Sequence, residues 1–420
     1  MRPDFHILII GGGMVGACAA ALAAGDRRLA DLRIAVLEGQ PPTTPPDDDV
    51  DLRVSALSRA SERILDCAGA WSLIPQAHRC AYTEMKVWDE GAKPHSPGSV
   101  HFSASATSEP DLGCIVENRR VQWALYESPA LRRRVTVLRA QAAALAFEAD
   151  HVRVDLADGR RISALLAIGA DGAASPSRKL AGLETSGWEY DQHAFVTHVR
   201  TARSHERTAW QRFLRAGPIA FLPLADGRSS IVWSTRPAHA RELCEMAPEE
   251  AAAQIEAAIG GVLGAVTIAG PRGAFPLRLR HARAYCRERF ALIGDAAHAV
   301  HPLAGQGVNL GFLDAAALVQ LLGDAVGPGG RAEAVGELRL LRRYERWRKS
   351  ENFIALGVID GLNRLFSNAD PALGSLRRFG LSAVERSALA KRFFMERAMG
   401  LAGELPQAAR SADSRSSAHV

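Results

Sequence analysis

The turn Gly11-Gly12-Gly13-Met14-Val15-Gly16, set behind the apolar run Phe5–Ile10, constrains this chain more than any other feature. The uncharged stretch from Ile7 to Ala24 follows Arg2 and could pass for a signal peptide or a membrane span. Four glycines interrupt it where a spanning helix or a signal core would be continuous. Two elements fit better: a strand over Phe5–Ile10 and a helix over Met14–Ala24. Arg33–Glu38 (RIAVLE) then reads as a buried parallel strand that completes a βαβ unit. Within G-x-G-x-x-G each position has a mechanical task. Gly11 permits the tight turn, Gly13 lets the backbone approach a pyrophosphate at the helix N-terminus, and Gly16 allows close helix–strand packing. Glu38, at the end of the next strand, is placed to accept hydrogen bonds from a ribose.

The 420 residues correspond to two or three domains, or to one large interleaved unit. With 47% apolar and 23% charged residues the chain is neither disordered nor fibrous. A net charge of +5 spread over this length, with no lysine/arginine block, argues against nucleic-acid binding. Six scattered cysteines without a CxxC pair suit neither a zinc site nor a disulfide framework, and point to a reducing, cytoplasmic compartment. Cys18 and Cys67 fall in expected helices as small core residues. Gln40–Asp51, with four prolines and four aspartates, must be an exposed loop. Ser58–Ala68 has helical spacing. Tyr82–Trp88, Phe195–Val199, Gly217–Leu224 and Ser229–Ser234 read as strands, and the arginine-rich stretch from Glu337 to Leu401 as helices.

Two further glycine motifs follow apolar runs. Gly169-Ala170-Asp171-Gly172 comes after Leu165–Ile168, with Arg178 close behind. By itself Asp-Gly is a common turn dipeptide. Leu292-Ile293-Gly294-Asp295 then leads through His301-Pro302-Leu303-Ala304-Gly305-Gln306-Gly307-Val308-Asn309-Leu310-Gly311 to Asp314. Here a strand delivers Asp295 to the carboxyl edge of a sheet, where ligands of open α/β sheets bind. The glycine-rich loop feeds straight into a helix, whose first amides stabilise negative charge, as a reduced flavin requires.

In this order and spacing the three motifs resemble the group A flavin monooxygenases, the para-hydroxybenzoate hydroxylase-like family. The likeness is closest to the branch of FAD-dependent hydroxylases of ubiquinone biosynthesis. That branch carries H-P-L-A-G-Q-G-x-N-x-G-x-x-D, present here without a break from His301 to Asp314. Asp51–Leu57, Val116–Gln122 and Thr208–Phe213 add to the resemblance. It implies FAD as cofactor and NAD(P)H as electron donor, with Gly11, Gly13, Met14, Val15 and Gly16 around the pyrophosphate and Glu38 at the adenosine ribose. It further implies that Arg53 and Gln122 contact the pyrophosphate and ribityl region and that Asp295, beside Gly294, holds a ribityl hydroxyl. Pro302, Gly305, Gln306, Gly307, Val308 and Asn309 would line the isoalloxazine, and Asp171 and Arg178 would serve FAD or the nicotinamide cofactor.

The expected fold is α/β: a Rossmann-like FAD-binding domain (1–80, 105–185 and 281–340) interleaved with a mixed β-sheet substrate domain (81–104 and 186–280). C-terminal helices (341–403) and a flexible tail (404–420) follow. The expected reaction is hydroxylation of a small hydrophobic aromatic substrate, a polyprenylated phenol or benzoquinol precursor, with O2 and NAD(P)H. Two other readings stay open: a flavin-dependent hydroxylase or reductase of another hydrophobic molecule, and a non-catalytic flavin-binding assembly subunit. Ile219 and Phe221 are expected to line the substrate pocket. His193, His198, His298 and His301 are candidates for a base by residue type alone, and none is assigned. No metal is expected. The arginine-rich helices could meet an anionic membrane surface or a biosynthetic complex, although such a face is more often simply solvated.

Overall fold

The computed structural model describes residues 2–47, 49–299, 307–327, 329–366 and 371–411. In chain order its strands are β1 (Phe5–Ile10), β2 (Ile34–Leu37), β3 (Val54–Leu57), β4 (Cys80–Tyr82), β5 (Glu84–Asp89), β6 (Ser99–Ser103), β7 (Gly113–Glu117), β8 (Val135–Leu138), β9 (Ala142–Phe147), β10 (Val152–Leu156), β11 (Arg161–Gly169), β12 (Thr185–Thr201), β13 (Thr208–Leu214), β14 (Gly217–Pro223), β15 (Ser229–Thr235), β16 (Val266–Ile268), β17 (Gly273–Ala282), β18 (Cys286–Arg287), β19 (Phe290–Leu292) and β20 (His298–Ala299). The helices are α1 (Met14–Gly25), α2 (Arg59–Cys67), α3 (Asn118–Glu127), α4 (Pro129–Arg134), α5 (Pro176–Leu180), α6 (Pro237–Glu245), α7 (Pro248–Ile259), α8 (Gly307–Val326), α9 (Leu338–Phe366), α10 (Pro371–Arg386) and α11 (Ala388–Ala398).

The first sheet runs β18-β19-β11-β1-β2-β8, parallel from β19 to β8, with β9 and β10 as an antiparallel arm on β11. Its middle strand, FHILII, is buried from His6 to Ile10 because helices cover both faces, so the apolar residues run on without alternation. Alanine-rich α1 lies against α3, α4 and α8. The small side chains let the backbones approach, and a Cβ on Gly16 would stand 2.0 Å from the carbonyl oxygen of Gly11. The 20-residue α8 is long and apolar enough to cross a membrane, yet most of it is buried in this core.

The second sheet runs β20-β17-β12-β15-β14-β13-β5-β6, with β16 beside β12. Its segments cross the expected boundary at 280, since β17 continues to Ala282 and β20 pairs with it. A small third sheet, β3-β7-β4, lies between the two. The proline-rich loop before β3 is tied down by the Arg119–Arg120 pair. Both guanidinium groups bond the Glu117 carboxylate, at 2.9 and 2.7 Å, and both reach loop carbonyls at Asp49 and Pro46.

Two expectations need correction. Residues 404–411 are not a free tail: Trp347 Nε1 donates to the Glu404 carbonyl at 3.0 Å, the Gln407 amide donates to Gln320, and Ala409 is fully buried. A short turn fixed by single hydrogen bonds has no apolar period to announce it. Cys67 is exposed at the end of α2, whereas Cys18 is buried as expected.

Candidate cofactor and active site

The strand order places the motifs side by side. Strands β19, β11, β1 and β2 are consecutive parallel neighbours, and their carboxyl ends carry Gly294-Asp295, Gly169–Asp171, Gly11–Gly16 and Glu38. Gly11 turns at φ +101°, and a Cβ there would stand 2.6 Å from the Ala170 carbonyl oxygen, so the first and second motifs interlock through a glycine. Val15 performs the same service for the third motif, since Cβ atoms on Gly294 and Gly311 would come within 3.1 and 2.6 Å of its methyls.

At the first turn, Glu38 accepts from the amides of Gly12 at 2.8 Å and Gln40 at 2.9 Å. A carboxylate has acceptor capacity beyond two bonds, so Glu38 can still receive a ligand hydroxyl. Gln122 Nε2 donates to the Gly12 carbonyl at 2.9 Å, which fixes the peptide plane of the turn. Four residues later on α3, Tyr126 is buried against the same turn with its hydroxyl unpartnered, and burial followed by the Glu38 charge pushes its pKa above the ordinary value. This tyrosine was not foreseen, although its i+4 spacing from Gln122 places the two on one helix face. Helix α1 has no side-chain cap and no acid in its first turn, and nothing approaches the Cα of Gly13 where a Cβ would stand. Its first amides are therefore open to an anion.

At the other end, Asp295 is reached by solvent yet ringed by protein. Burial raises its pKa against the opposing fields of His298 and Arg53. The Arg53 side chain is exposed and has no ion pair among the described residues. Asp295 and Arg53, neither with an ion pair among the described residues, thus sense each other's charge.

Other expected contacts are committed to the chain itself. Asp171 accepts from Ser175 Oγ at 2.5 Å, from Ser177 Oγ at 2.8 Å and from the Ser177 amide at 2.7 Å, which anchors the start of α5. Arg178, only 3% exposed, donates to the carbonyls of Ala296, Ala173 and Ala174. These bonds make the two residues a brace between the second and third motifs, because a buried guanidinium must satisfy its donors locally. Asn309 likewise bonds Ala56, Ser58 and Ser61 with its amide, docking the start of α8 on β3 and α2. Gly307 opens α8, and Val308 packs on the main core. His301, Pro302, Gly305 and Gln306 lie outside the described residues.

The expected pocket residues also need correction. Ile219 and Phe221 are fully buried on the face of the second sheet that α6 and α7 cover, together with Trp88, Phe195 and Trp233. Side chains alternate along β14, so Ala220 and Leu222 take the opposite face. There they meet Ala56 and Ile115 of the third sheet, next to Tyr82, Met85 and Val232. Of the candidate histidines, His198 bonds the Asp51 carbonyl through Nε2 and burial lowers its pKa, while His298 Nε2 bonds Asp314.

A Rossmann-like sheet with three glycine motifs at its carboxyl edge, joined to a second sheet with one apolar face turned toward it, defines an FAD-dependent monooxygenase. The family model described as FAD binding domain matches residues 4–350, and this chain belongs to that family. The 3-demethoxyubiquinol 3-hydroxylase of Escherichia coli (strain K12) is 38% identical over 94% of this chain and 98% of its own length. Ubiquinone hydroxylase UbiL of Rhodospirillum rubrum is 37% identical over 94% of this chain and 89% of its own. Among solved structures, p-nitrophenol 4-monooxygenase PnpA from Pseudomonas putida DLL-E4 has the same fold, with a TM-score of 0.75 at 18% identity over 96% of this chain and all of that one. The residues at the edge fit FAD: an uncapped helix start, an orphaned tyrosine hydroxyl against the first glycine turn, and the charges of Arg53 and Asp295.

Proposed function

We propose that this protein hydroxylates an aromatic ring of a polyprenylated phenol or benzoquinol precursor in ubiquinone biosynthesis, using NAD(P)H and O2. The observation that carries the reading is the row of glycine turns at the carboxyl ends of the neighbouring strands β19, β11 and β1, with the apolar residues Ala209, Ala220, Leu222 and Leu224 of the second sheet packed on Ala56 of β3. Apolar packing of this kind keeps water away from the neighbouring strand ends. It agrees with the ubiquinone hydroxylases named above. Bound FAD would supply reduction by the nicotinamide donor and activation of O2. The open amides of α1, with Gly11, Gly13 and Gly16, would hold its pyrophosphate, Glu38 and Tyr126 its adenosine end, and Arg53, Gln122 and Asp295 its ribityl and pyrophosphate region. In this reading 1–80, 105–185 and 283–340 form the FAD-binding unit. The decisive experiment incubates FAD-loaded enzyme with a prenylated phenol, NAD(P)H and O2. A product heavier by one oxygen is expected, and NAD(P)H oxidation without such a product overturns the reading.

The C-terminal helices suit delivery of so hydrophobic a substrate. Phe353, Ile354, Phe379, Leu389 and Phe393 are all exposed. On α9 a surface groove of about 580 Å³ is lined by Arg342, Glu345, Arg346, Lys349, Ser350 and Phe353. Cations beside exposed aromatic rings match the interface of an anionic bilayer.

A further inference from the structure

We propose that Asp314 is a positioning residue for the flavin: from inside the core it fixes the Gly294 turn and the His298 ring, and so sets where Asp295 stands. The proposal rests on the reading that Asp295 binds the ribityl end of FAD.

Asp314 lies on α8 and has no exposed surface. Its two oxygens face different ways. Oδ2 accepts from the Gly294 amide at 3.1 Å and from His298 Nε2 at 2.5 Å, and both donors flank Asp295 in sequence. Oδ1 accepts from Arg348 Nε at 2.8 Å and Asn352 Nδ2 at 3.1 Å, both on α9. Arg348 in turn donates to Asn352 Oδ1 at 2.9 Å, and Tyr285 Oη joins Asn352 to His281. Burial alone would raise the Asp314 pKa, but the charges of His298 and Arg348 outweigh it and hold the value at about 2. The group is a carboxylate at neutral pH, as acceptance from four donors requires. An amide of the same shape would turn its NH2 toward one donor pair and break that side.

The turn has few other means of holding its shape. Gly294 adopts φ +60°, and the short turn Gly294–Ala296 has no side-chain cap. Besides Arg178, which reaches the Ala296 carbonyl, the Asp314 carboxylate is the side chain that pins it among the described residues. The two sides of the carboxylate therefore separate two roles: the α9 side holds helices together, and the Oδ2 side aims Asp295.

The test compares Asp314→Asn, His298→Gln, His298→Leu, Asn352→Ala and Asp295→Ala by FAD dissociation constant, by the visible spectrum of bound flavin and by Tm. Expected are a loss of FAD affinity of about tenfold or more with a shifted spectrum in Asp314→Asn and His298→Leu, as for a lost bond to a charged group. His298→Gln, which keeps an N–H donor, should rescue both. Asn352→Ala should lower Tm while affinity and spectrum stay at the wild-type values. Wild-type affinity and spectrum in folded Asp314→Asn and His298→Leu, with FAD lost from Asp295→Ala, would overturn the positioning role alone. FAD retained by Asp295→Ala would overturn the Asp295 reading and this proposal with it. Should Asp314→Asn fail to fold, the His298 pair decides, and equal affinities for Gln and Leu overturn the role.

Discussion

Asp295 and Asp171 both end parallel strands beside the first glycine turn, yet their surroundings assign them different work. Asp295→Ala should remove a charged acceptor from the cleft and lower FAD affinity about tenfold or more, while Tm without FAD stays close to wild type. Asp171→Ala removes the acceptor shared by the buried Ser175 and Ser177 hydroxyls and the Ser177 amide, which should cost about 1–3 kcal/mol of stability with a smaller effect on FAD. FAD occupancy after gel filtration, read beside the melting curve, checks both, and equal occupancy would count against the assignment. A second residue predicts a pH effect. Burial lifts the Glu62 carboxyl from 4.5 to about 8, with Arg59 opposing, and its Oε1 has no partner. The folded protein keeps a proton that the unfolded chain releases above the lower value, so stability falls as pH rises from 4.5 toward 8. Glu62→Gln should match wild type near pH 5 and exceed it by at least about 1 kcal/mol at pH 8, the cost of an unsatisfied buried group. Melting curves at the two pH values decide, and equal gains at both would refute the sign. The positions of the glycine turns, of Glu38 and of Asp295 at parallel strand ends were legible in the sequence because a turn or a strand end marks them. Tyr126 and the linkage of Asp314 to α9 were not, since they depend on contacts between elements far apart in the chain.

At the scale of elements, strands and helices were legible wherever hydrophobic period or glycine punctuation marks them, as in β1, α1 and β2. β14 shows where such reading stops. Every residue from Gly217 to Pro223 is buried, so the sequence has no polar alternation to say which face is which. The structure resolves the parity, and the consequence is testable. Phe221→Ala opens a cavity under α6 and α7 and should cost about 3–5 kcal/mol without changing how NAD(P)H oxidation is coupled to hydroxylation. Leu222→Ala opens a cavity on the face beside the cofactor cleft, and should raise hydrogen peroxide released per NAD(P)H oxidised. Peroxide yield and Tm measured together separate the two faces. If Phe221→Ala uncouples and Leu222→Ala does not, the chamber lies on the helix-covered side.

For the molecule as a whole, the interleaving of the first two sheets was legible from the order of the three motifs, because two of them frame the strand-rich middle. How the surface is used was not, because an arginine-rich helix reads the same whether it faces water or lipid. The structure adds exposure: of the eight large apolar side chains exposed among the described residues, six (Leu338, Phe353, Ile354, Phe379, Leu389, Phe393) fall within the C-terminal helices. Phe353, which lines one groove with Arg342, Arg346 and Lys349, gains on both counts at an anionic interface. The FAD-loaded protein should therefore sediment with vesicles rich in phosphatidylglycerol and not with pure phosphatidylcholine. High salt should release it, since each cation near such a surface contributes about 1 kcal/mol that ions screen. Arg346→Glu with Lys349→Glu should abolish most of the binding, and Phe379→Ala should weaken it at every salt concentration, with FAD content unchanged in both. Equal sedimentation with neutral vesicles, or none with either kind, would leave these helices facing water.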